Sequence, residues 1–251
     1  MKLNVYEWGD PSAPPVVCLH GVTGHGERYR RLAETRWAER FRVLSPDLRG
    51  HGRSGWEPPW TLGTYVDDLV ETFPLRADWV GHSFGGRLVL ELAARRPDLV
   101  RRAVLLDPAI DLLPHVAEFA ADAERPDPVY ADAAEYRSRR DATEREDFVL
   151  EDVAQHCEVL PDGRLRRRTS QSAVVSIFGE LATPAPPPET LTAPALLVYA
   201  PAYGLVRDEH LAAYAHCEQL AVPGMHMVIW DAFDEVAGAV ERFLEDSSAE
   251  G

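Results

Sequence analysis

Short apolar runs alternate along this chain with longer segments whose apolar residues recur at helical spacing. Apolar runs flanked by turn-forming residues are typical of central strands that are buried on both faces. Their alternation with helical segments predicts βαβ units and a largely parallel sheet. The clearest runs cover residues 16–19, 41–45, 78–81, 103–106 and 195–199.

Three segments show the spacing of helices that pack on a sheet. Apolar residues within 62–73 fall on one stripe of a helix, and residues 236–244 repeat that spacing. A third helix is predicted over 84–96, because Pro97 cannot continue it. We expect all three to be scaffold.

The alternation stops between residues 109 and 190, where the sequence becomes charged and mostly helical and then rich in proline. We interpret 109–190 as an inserted cap, and 1–108 together with 191–251 as the α/β core. A chain of 251 residues is long enough for one such domain with an insertion. The basic run at 164–168 is interpreted as a solvated strand edge rather than a binding site.

Composition narrows the class of protein. With 45% apolar and 27% charged residues, the chain falls in the globular range. A net charge of -15 argues against a nucleic-acid partner, which needs clustered Lys and Arg. No run of 18 apolar residues or signal-like leader is present, so we expect neither a membrane span nor secretion.

The cysteines indicate neither a disulfide framework nor a zinc site. Cys18, Cys157 and Cys217 are dispersed, and none forms a C-x-x-C pair. This usage fits a reducing cytoplasm. We expect no metal and no cofactor.

The segment Gly81-His82-Ser83-Phe84-Gly85 follows a predicted strand and opens a predicted helix. This is the context in which G-x-S-x-G forms a nucleophile elbow. Glycines are needed because side chains at 81 and 85 would collide with neighbouring backbone in so sharp a turn. Ser83 is therefore the candidate nucleophile, and His82 is interpreted as a packed neighbour rather than a second base.

A serine hydroxyl needs a base at neutral pH. His226 lies in a loop between the last predicted strand and the C-terminal helix, and it follows the nucleophile in chain order as this elbow requires. The turn His20-Gly21-Val22 follows another strand and can aim a backbone N–H into the cleft. We expect the N–H groups of Val22 and Phe84 to form an oxyanion hole.

Together these motifs resemble the α/β-hydrolase superfamily. The resemblance rests on His20-Gly21, on the segment 46–54 (Pro-Asp-Leu-Arg-Gly-His-Gly-Arg-Ser), on 81–86, and on Pro223-Gly224-Met225-His226, and it covers residues 3–245. It implies an eight-stranded, mostly parallel sheet with a helical cap after the sixth strand. It also implies esterase, lactonase, thioesterase or related acyl-hydrolase activity.

The chain departs from the family pattern at the triad acid. Relatives usually carry it just after the seventh strand, but residues 200–204 contain no carboxylate. Asp208 is the next one, at the predicted start of a helix where it would serve as N-terminal cap. Some members place the acid after the sixth strand, which here gives Asp107, our preferred partner for His226 Nδ1. Asp208, and a weakened or absent acid, remain open alternatives.

The sequence thus predicts a serine hydrolase that cleaves a small-molecule ester, lactone or thioester through an acyl-enzyme on Ser83. A hydrolase-like binding protein with weak turnover and a serine perhydrolase are the alternatives. The chain is expected to act as a monomer or homodimer. Candidate substrate-binding residues, which can equally be core, are His25, Trp56, Trp60, Phe119, Tyr136 and Tyr203.

Overall fold

The computed structural model describes residues 1–126, 128–140 and 144–245 of the chain. Within these ranges the strands are β1 (Val5–Trp8), β2 (Pro15–Leu19), β3 (Arg42–Pro46), β4 (Ala77–His82), β5 (Val100–Leu106), β6 (Val129–Tyr130), β7 (Cys157–Val159), β8 (Leu165–Arg167), β9 (Ala195–Tyr199) and β10 (Glu218–Ala221). The α-helices are α1 (Arg30–Leu32), α2 (Leu62–Thr72), α3 (Phe84–Arg95), α4 (Pro114–Ala123), α5 (Ala133–Ser138), α6 (Glu146–His156), α7 (Gln171–Leu181), α8 (Asp208–Ala213), α9 (Val228–Asp231) and α10 (Phe233–Glu245). Short 3₁₀ or π-helical turns occupy Gly26–Tyr29, Ala33–Trp37, Pro97–Leu99 and Pro188–Thr190.

The main sheet has the strand order β1-β3-β2-β4-β5-β9-β10. The edge strand β1 is antiparallel to β3, and every other pairing is parallel. All five predicted runs are strands of this sheet, with ends shifted by at most three residues. The predicted parallel α/β architecture is therefore confirmed.

The expected strand number was wrong: the described residues place seven strands in this sheet, not eight. The residues before β1 bind a helix instead of extending the sheet. The amino group of Met1 lies 2.6 Å from a carboxylate oxygen of Asp68, and the N–H of Leu3 donates to the Thr72 hydroxyl at 3.1 Å. The insertion accordingly follows β5, the fifth strand along the chain, rather than the expected sixth.

Two apolar clusters cover the two faces of the sheet. Alternate residues of each central strand point to opposite faces, so that Trp79 belongs to one cluster and Val80 to the other. The buried stripes of α2 and α3 complete the first cluster, and that of α10 completes the second. The three predicted scaffold helices thus form and bury their apolar faces.

The segment between β5 and β9 contains α4 to α7 and also a small antiparallel sheet of order β6-β8-β7. The interpretation of residues 164–168 as a strand edge was wrong, because β8 is the central strand of this sheet. Arg167 is buried and pairs with Glu124. Backbone hydrogen bonds join the segment to the core, including Ser170 N–H to the Gly50 carbonyl at 2.7 Å. None of the described helices has both the length and the apolar character needed to cross a bilayer.

Candidate active site

Ser83 lies in a sharp turn between β4 and α3. Its backbone has φ 54° and ψ -114°, outside the regions that ordinary residues adopt. A Cβ atom at Gly81 would lie 2.3 Å from the Gly85 carbonyl oxygen, and one at Gly85 would lie 2.3 Å from the Leu19 carbonyl oxygen. Only glycine therefore fits at these two positions beside Ser83.

Backbone strain is concentrated at two places in the described residues. Ser83 and Asp107, with φ values of 54° and 41°, are the non-glycine residues there that adopt positive φ. Such conformations cost about 1–3 kcal/mol each and cluster at functional sites. Hydrogen bonds from Ser83 N–H to the Leu106 carbonyl and from Ala109 N–H to the Ser83 carbonyl, both 3.0 Å, hold the two turns together.

Asp107 and His226 form a direct side-chain hydrogen bond. Nδ1 of His226 lies 2.7 Å from Oδ2 of Asp107, whose side chain is fully buried. The second carboxylate oxygen, Oδ1, accepts the Ala200 N–H at 3.2 Å. With Nδ1 occupied, Nε2 is the nitrogen of His226 left for acid–base chemistry.

Asp208 takes no part in this arrangement. It is the exposed first residue of α8, and the N-cap of that helix is Arg207, so the expectation that Asp208 caps the helix was wrong. The hydrogen bonds of the described residues include none between Asp208 and His226.

Two rings contact the imidazole of His226. Tyr203 stacks on it with ring centroids 4.7 Å apart and planes 18° apart, and the His82 ring lies at 4.7 Å with a 41° tilt. Nε2 of His82 donates to the His226 carbonyl at 2.9 Å. Burial holds the pKa of His82 well below its ordinary value, so its ring is neutral. His82 therefore braces the loop of His226, as a packed neighbour should.

The turn after β2 is fixed by a buried histidine. The Leu48 N–H donates to Nε2 of His20 at 3.0 Å, so the ring proton of His20 is on Nδ1, which lies 2.8 Å from the Gly21 carbonyl oxygen. Since a trans peptide directs its carbonyl and its N–H to opposite sides, the N–H of Val22 is turned away from His20. The N–H of Phe84, the first residue of α3, is among those that lack an acceptor within the helix.

A cavity of about 330 Å³ joins these groups. Its core wall includes Gly21, Val22, Ser83 and His226. No hydrogen bond of the Ser83 hydroxyl occurs within the described residues, so the hydroxyl is not bonded to His226 in this structure although both line the cavity. Those residues also contain no group of three His, Cys, Asp or Glu side chains placed to hold a metal ion.

The wall opposite the sheet is charged, and its charges are paired. Arg140 binds Glu144 through two nitrogens, at 2.5 and 3.0 Å. Arg28 binds both oxygens of Asp152, at 2.8 and 3.0 Å. Glu124 pairs with Arg167 through a single nitrogen of the guanidinium, so the wall carries hydrogen-bonding groups without a large net charge.

A second, apolar groove of about 540 Å³ adjoins this cavity. Ala120, Glu124, Phe178 and Tyr203 line both spaces. Further into the groove, the large apolar side chains Val116 and Phe119 are 40% and 77% exposed. The two spaces together therefore have a polar end beside Ser83 and an apolar extension.

The candidate substrate-binding residues divide into two groups. Tyr203 lines both spaces, and Phe119 lines the groove. The other four border neither. Trp56 is 41% exposed at the surface, and Trp60 packs against the core cluster that contains α2 and α3.

His25 and Tyr136 belong to a buried polar cluster instead of the cavity. Nε2 of His25 lies 2.9 Å from Asp152, and the Tyr136 hydroxyl donates to the same carboxylate at 2.6 Å. His25 also stacks on His156, with ring centroids 4.5 Å apart. Both side chains therefore satisfy a buried aspartate, a role that their residue types do not reveal.

Most of the wall that faces Ser83 could not be predicted from the sequence. Arg28, Glu124, Arg140, Glu144 and Phe178 carry no motif, and their position depends on how the segment between β5 and β9 folds. Arg140 and Glu144 have the i, i+4 spacing of a helical ion pair, but both lie outside α5 and α6, so that spacing does not identify them as part of the wall.

The chain is similar to known hydrolases. A family model described as alpha/beta hydrolase fold matches residues 14–217. The chain is 37% identical to the lipase LipV of Mycobacterium tuberculosis over 97% of its own length and 98% of that protein. These relations support a hydrolase of the ester type.

Solved structures give the same fold. The structure of E-2-(acetamidomethylene)succinate hydrolase superposes with a TM-score of 0.83 and 27% identity, covering 97% of this chain and 95% of that one. The enol-lactonase of Burkholderia xenovorans LB400 superposes with a TM-score of 0.75 over 97% and 96% of the two chains; its 24% identity shows the fold alone. With a family model that spans most of its length and a relative aligned nearly end to end, this chain belongs to the α/β-hydrolase fold family.

Proposed function

We propose that this protein is a serine hydrolase that cleaves carboxylic esters by two-step acyl transfer. Ser83 is the nucleophile, His226 the general base and Asp107 the acid that orients it. The observation that carries the proposal is the 2.7 Å contact between Asp107 and His226 at a cavity that also holds the strained Ser83 turn.

In the first step, Nε2 of His226 takes the Ser83 proton as the oxygen attacks the ester carbonyl carbon. The carbonyl oxygen becomes negative and accepts hydrogen bonds from the N–H groups of Val22 and Phe84. Each such donor contributes roughly 2.7–4 kcal/mol in the transition state. His226 then gives its proton to the leaving alcohol, and an acyl-enzyme remains.

In the second step, His226 activates water, which attacks the acyl carbon and releases the acid with Ser83 restored. The bond between Ser83 and His226 that this cycle needs is commonly long in substrate-free enzymes and shortens on binding. Both side chains border one cavity, and the proposed hydrogen bond forms within it when substrate binds.

The rival hypothesis of a weakly active binding protein rested on the missing carboxylate after β9. Asp107 supplies that carboxylate from the neighbouring strand β5, which favours turnover over mere binding. The segment 109–190 acts in this proposal as a cap that selects the substrate. The polar cavity and apolar groove suit esters that carry an apolar chain.

The test is the variant Ser83→Ala, assayed on p-nitrophenyl acetate and butyrate. We expect kcat to fall by a factor of about 10³ or more, because the nucleophile is lost. Ser12→Ala, in an exposed turn, is the matched control and should keep wild-type rates. A fluorophosphonate should label the wild type at Ser83, as read by peptide mass spectrometry. Undiminished hydrolysis by Ser83→Ala would refute the proposal.

A further inference from the structure

The turn after β9, residues 200–204, lacks the carboxylate that the family resemblance implies, and instead it presents an aromatic ring to His226. We propose that Tyr203 is a positioning residue for the reaction, which holds the His226 imidazole in place and stabilises its protonated form. This inference rests on the proposed function, since it requires that His226 acts as the base.

The contact is a stack and not an edge contact. The ring centroids of Tyr203 and His226 lie 4.7 Å apart, and the planes differ by 18°. Tyr203 is 45% exposed, so burial of its own ring does not explain its position. The two rings cover each other at the border between the cavity and the groove.

The same carboxylate fixes both partners of the stack. Oδ2 of Asp107 binds Nδ1 of His226, and Oδ1 accepts the N–H of Ala200, the first residue of the turn. The Ala200 carbonyl in turn accepts the N–H groups of Tyr203 and Gly204, at 3.1 and 3.3 Å. Gly204 has φ 74°, which an ordinary residue rarely adopts. Asp107 thereby sets the position of the imidazole and of the ring that covers it.

The stack of Tyr203 on His226 can stabilise the positive charge that the imidazole carries during the proposed reaction. His226 carries a positive charge in the transition states of both acylation and deacylation. The face of an aromatic ring attracts a cation within about 6 Å of its centroid. His82, the other ring at 4.7 Å, is neutral, and Arg140 of the cavity wall is already paired with Glu144. Among the described residues, Asp107 and Tyr203 thus present a carboxylate and an aromatic face in direct contact with the imidazole that the reaction protonates.

The experiment compares Tyr203→Leu, Tyr203→Phe and Tyr203→Trp on p-nitrophenyl butyrate. We expect Tyr203→Leu to lower kcat roughly 3- to 30-fold, the range of a cation–π contact, while KM changes less than about twofold. The maximal acylation rate in single-turnover stopped flow should fall in parallel. Tyr203→Phe and Tyr203→Trp should keep kcat within about threefold of the wild type, because both retain an aromatic face.

Trp56→Leu is the matched control, because Trp56 is also an exposed aromatic residue but borders neither the cavity nor the groove. It should leave kcat for p-nitrophenyl butyrate unchanged. The inference is overturned if Tyr203→Leu keeps the wild-type kcat, if it raises KM alone, or if Tyr203→Phe is as slow as Tyr203→Leu. Since Ser83→Ala tests the nucleophile independently, an inactive Ser83→Ala beside a fully active Tyr203→Leu refutes this inference and leaves the proposed function intact.

Discussion

Replacing Asp107 by Asn changes the acid of the site without changing its shape. In the wild type both carboxylate oxygens accept a hydrogen bond, one from His226 Nδ1 at 2.7 Å and one from the Ala200 N–H at 3.2 Å. Asn offers one oxygen and one NH₂ group. Because the Ala200 N–H can only donate, the amide oxygen must turn toward it, and the NH₂ group then faces His226.

An NH₂ group beside Nδ1 requires a lone pair there, which moves the ring proton to Nε2. In that tautomer, Nε2 cannot take the proton of Ser83. In a triad the same change lowers kcat by about 10⁴, or about 5.4 kcal/mol at 1.36 kcal/mol per factor of ten. We therefore expect Asp107→Asn to hydrolyse p-nitrophenyl butyrate about 10⁴-fold more slowly, with a circular dichroism spectrum like that of the wild type.

Asp208→Asn is the matched control, because Asp208 is the alternative acid that the sequence offers and is exposed on α8. It should keep the wild-type kcat. A loss of less than about tenfold in kcat for Asp107→Asn, or a lower kcat for Asp208→Asn than for Asp107→Asn, would exclude Asp107 as the acid that orients His226.

Three further predictions concern stability and substrate choice. Burial holds the pKa of four histidines below the ordinary value, namely His20, His51, His82 and His156. Below about pH 6.5 these histidines are protonated in the unfolded chain but stay neutral in the folded protein, so lowering the pH favours unfolding. The free energy of unfolding, measured in guanidinium titrations, should fall by up to about 1.4 kcal/mol per pH unit for each ring. Equal free energies at pH 7.5 and 5.5 would contradict this prediction. Asp152→Ala leaves Arg28 buried without its partner and should cost about 3–5 kcal/mol in the same titration. Asp147→Ala removes two solvent-accessible pairs, with Arg31 and Arg145, and should cost less than about 1 kcal/mol. Ala123→Trp fills the apolar groove and should lower kcat/KM for p-nitrophenyl decanoate about tenfold while sparing acetate; an equal effect on both esters would exclude the groove as a chain-binding site.

The parts of the fold that could be predicted from sequence are those with a local cause. The central strands are apolar runs bounded by turn residues. The Ser83 turn is indicated by Gly81 and Gly85, where backbone atoms leave no space for a Cβ atom. Asp107 was preferred because it ends a strand that the family resemblance identifies. In each case a few adjacent residues carry the signal.

The remainder depends on contacts between distant segments. By residue type, His25 and Tyr136 are ordinary candidates for a substrate pocket. In the structure both instead form hydrogen bonds with Asp152, which lies more than a hundred residues after His25, in a buried cluster. The eighth strand was inferred from the resemblance alone, and the hydrogen bonds of Met1 and Leu3 to α2 place those residues elsewhere. No pattern within either segment contains this information.

The hydrogen bonds between the Ser83 and Asp107 turns have a consequence for how the protein would lose activity. These two residues directly follow adjacent strands of the central sheet, β4 and β5, and main-chain hydrogen bonds join their turns, while His226 lies on a separate loop. Surface loops open at a lower free energy than central strands. Mild heating or low denaturant should therefore abolish activity first by opening the loop that carries His226, before the central sheet unfolds. On cooling, the loop should close again on the intact Ser83 and Asp107 turns, and activity should return.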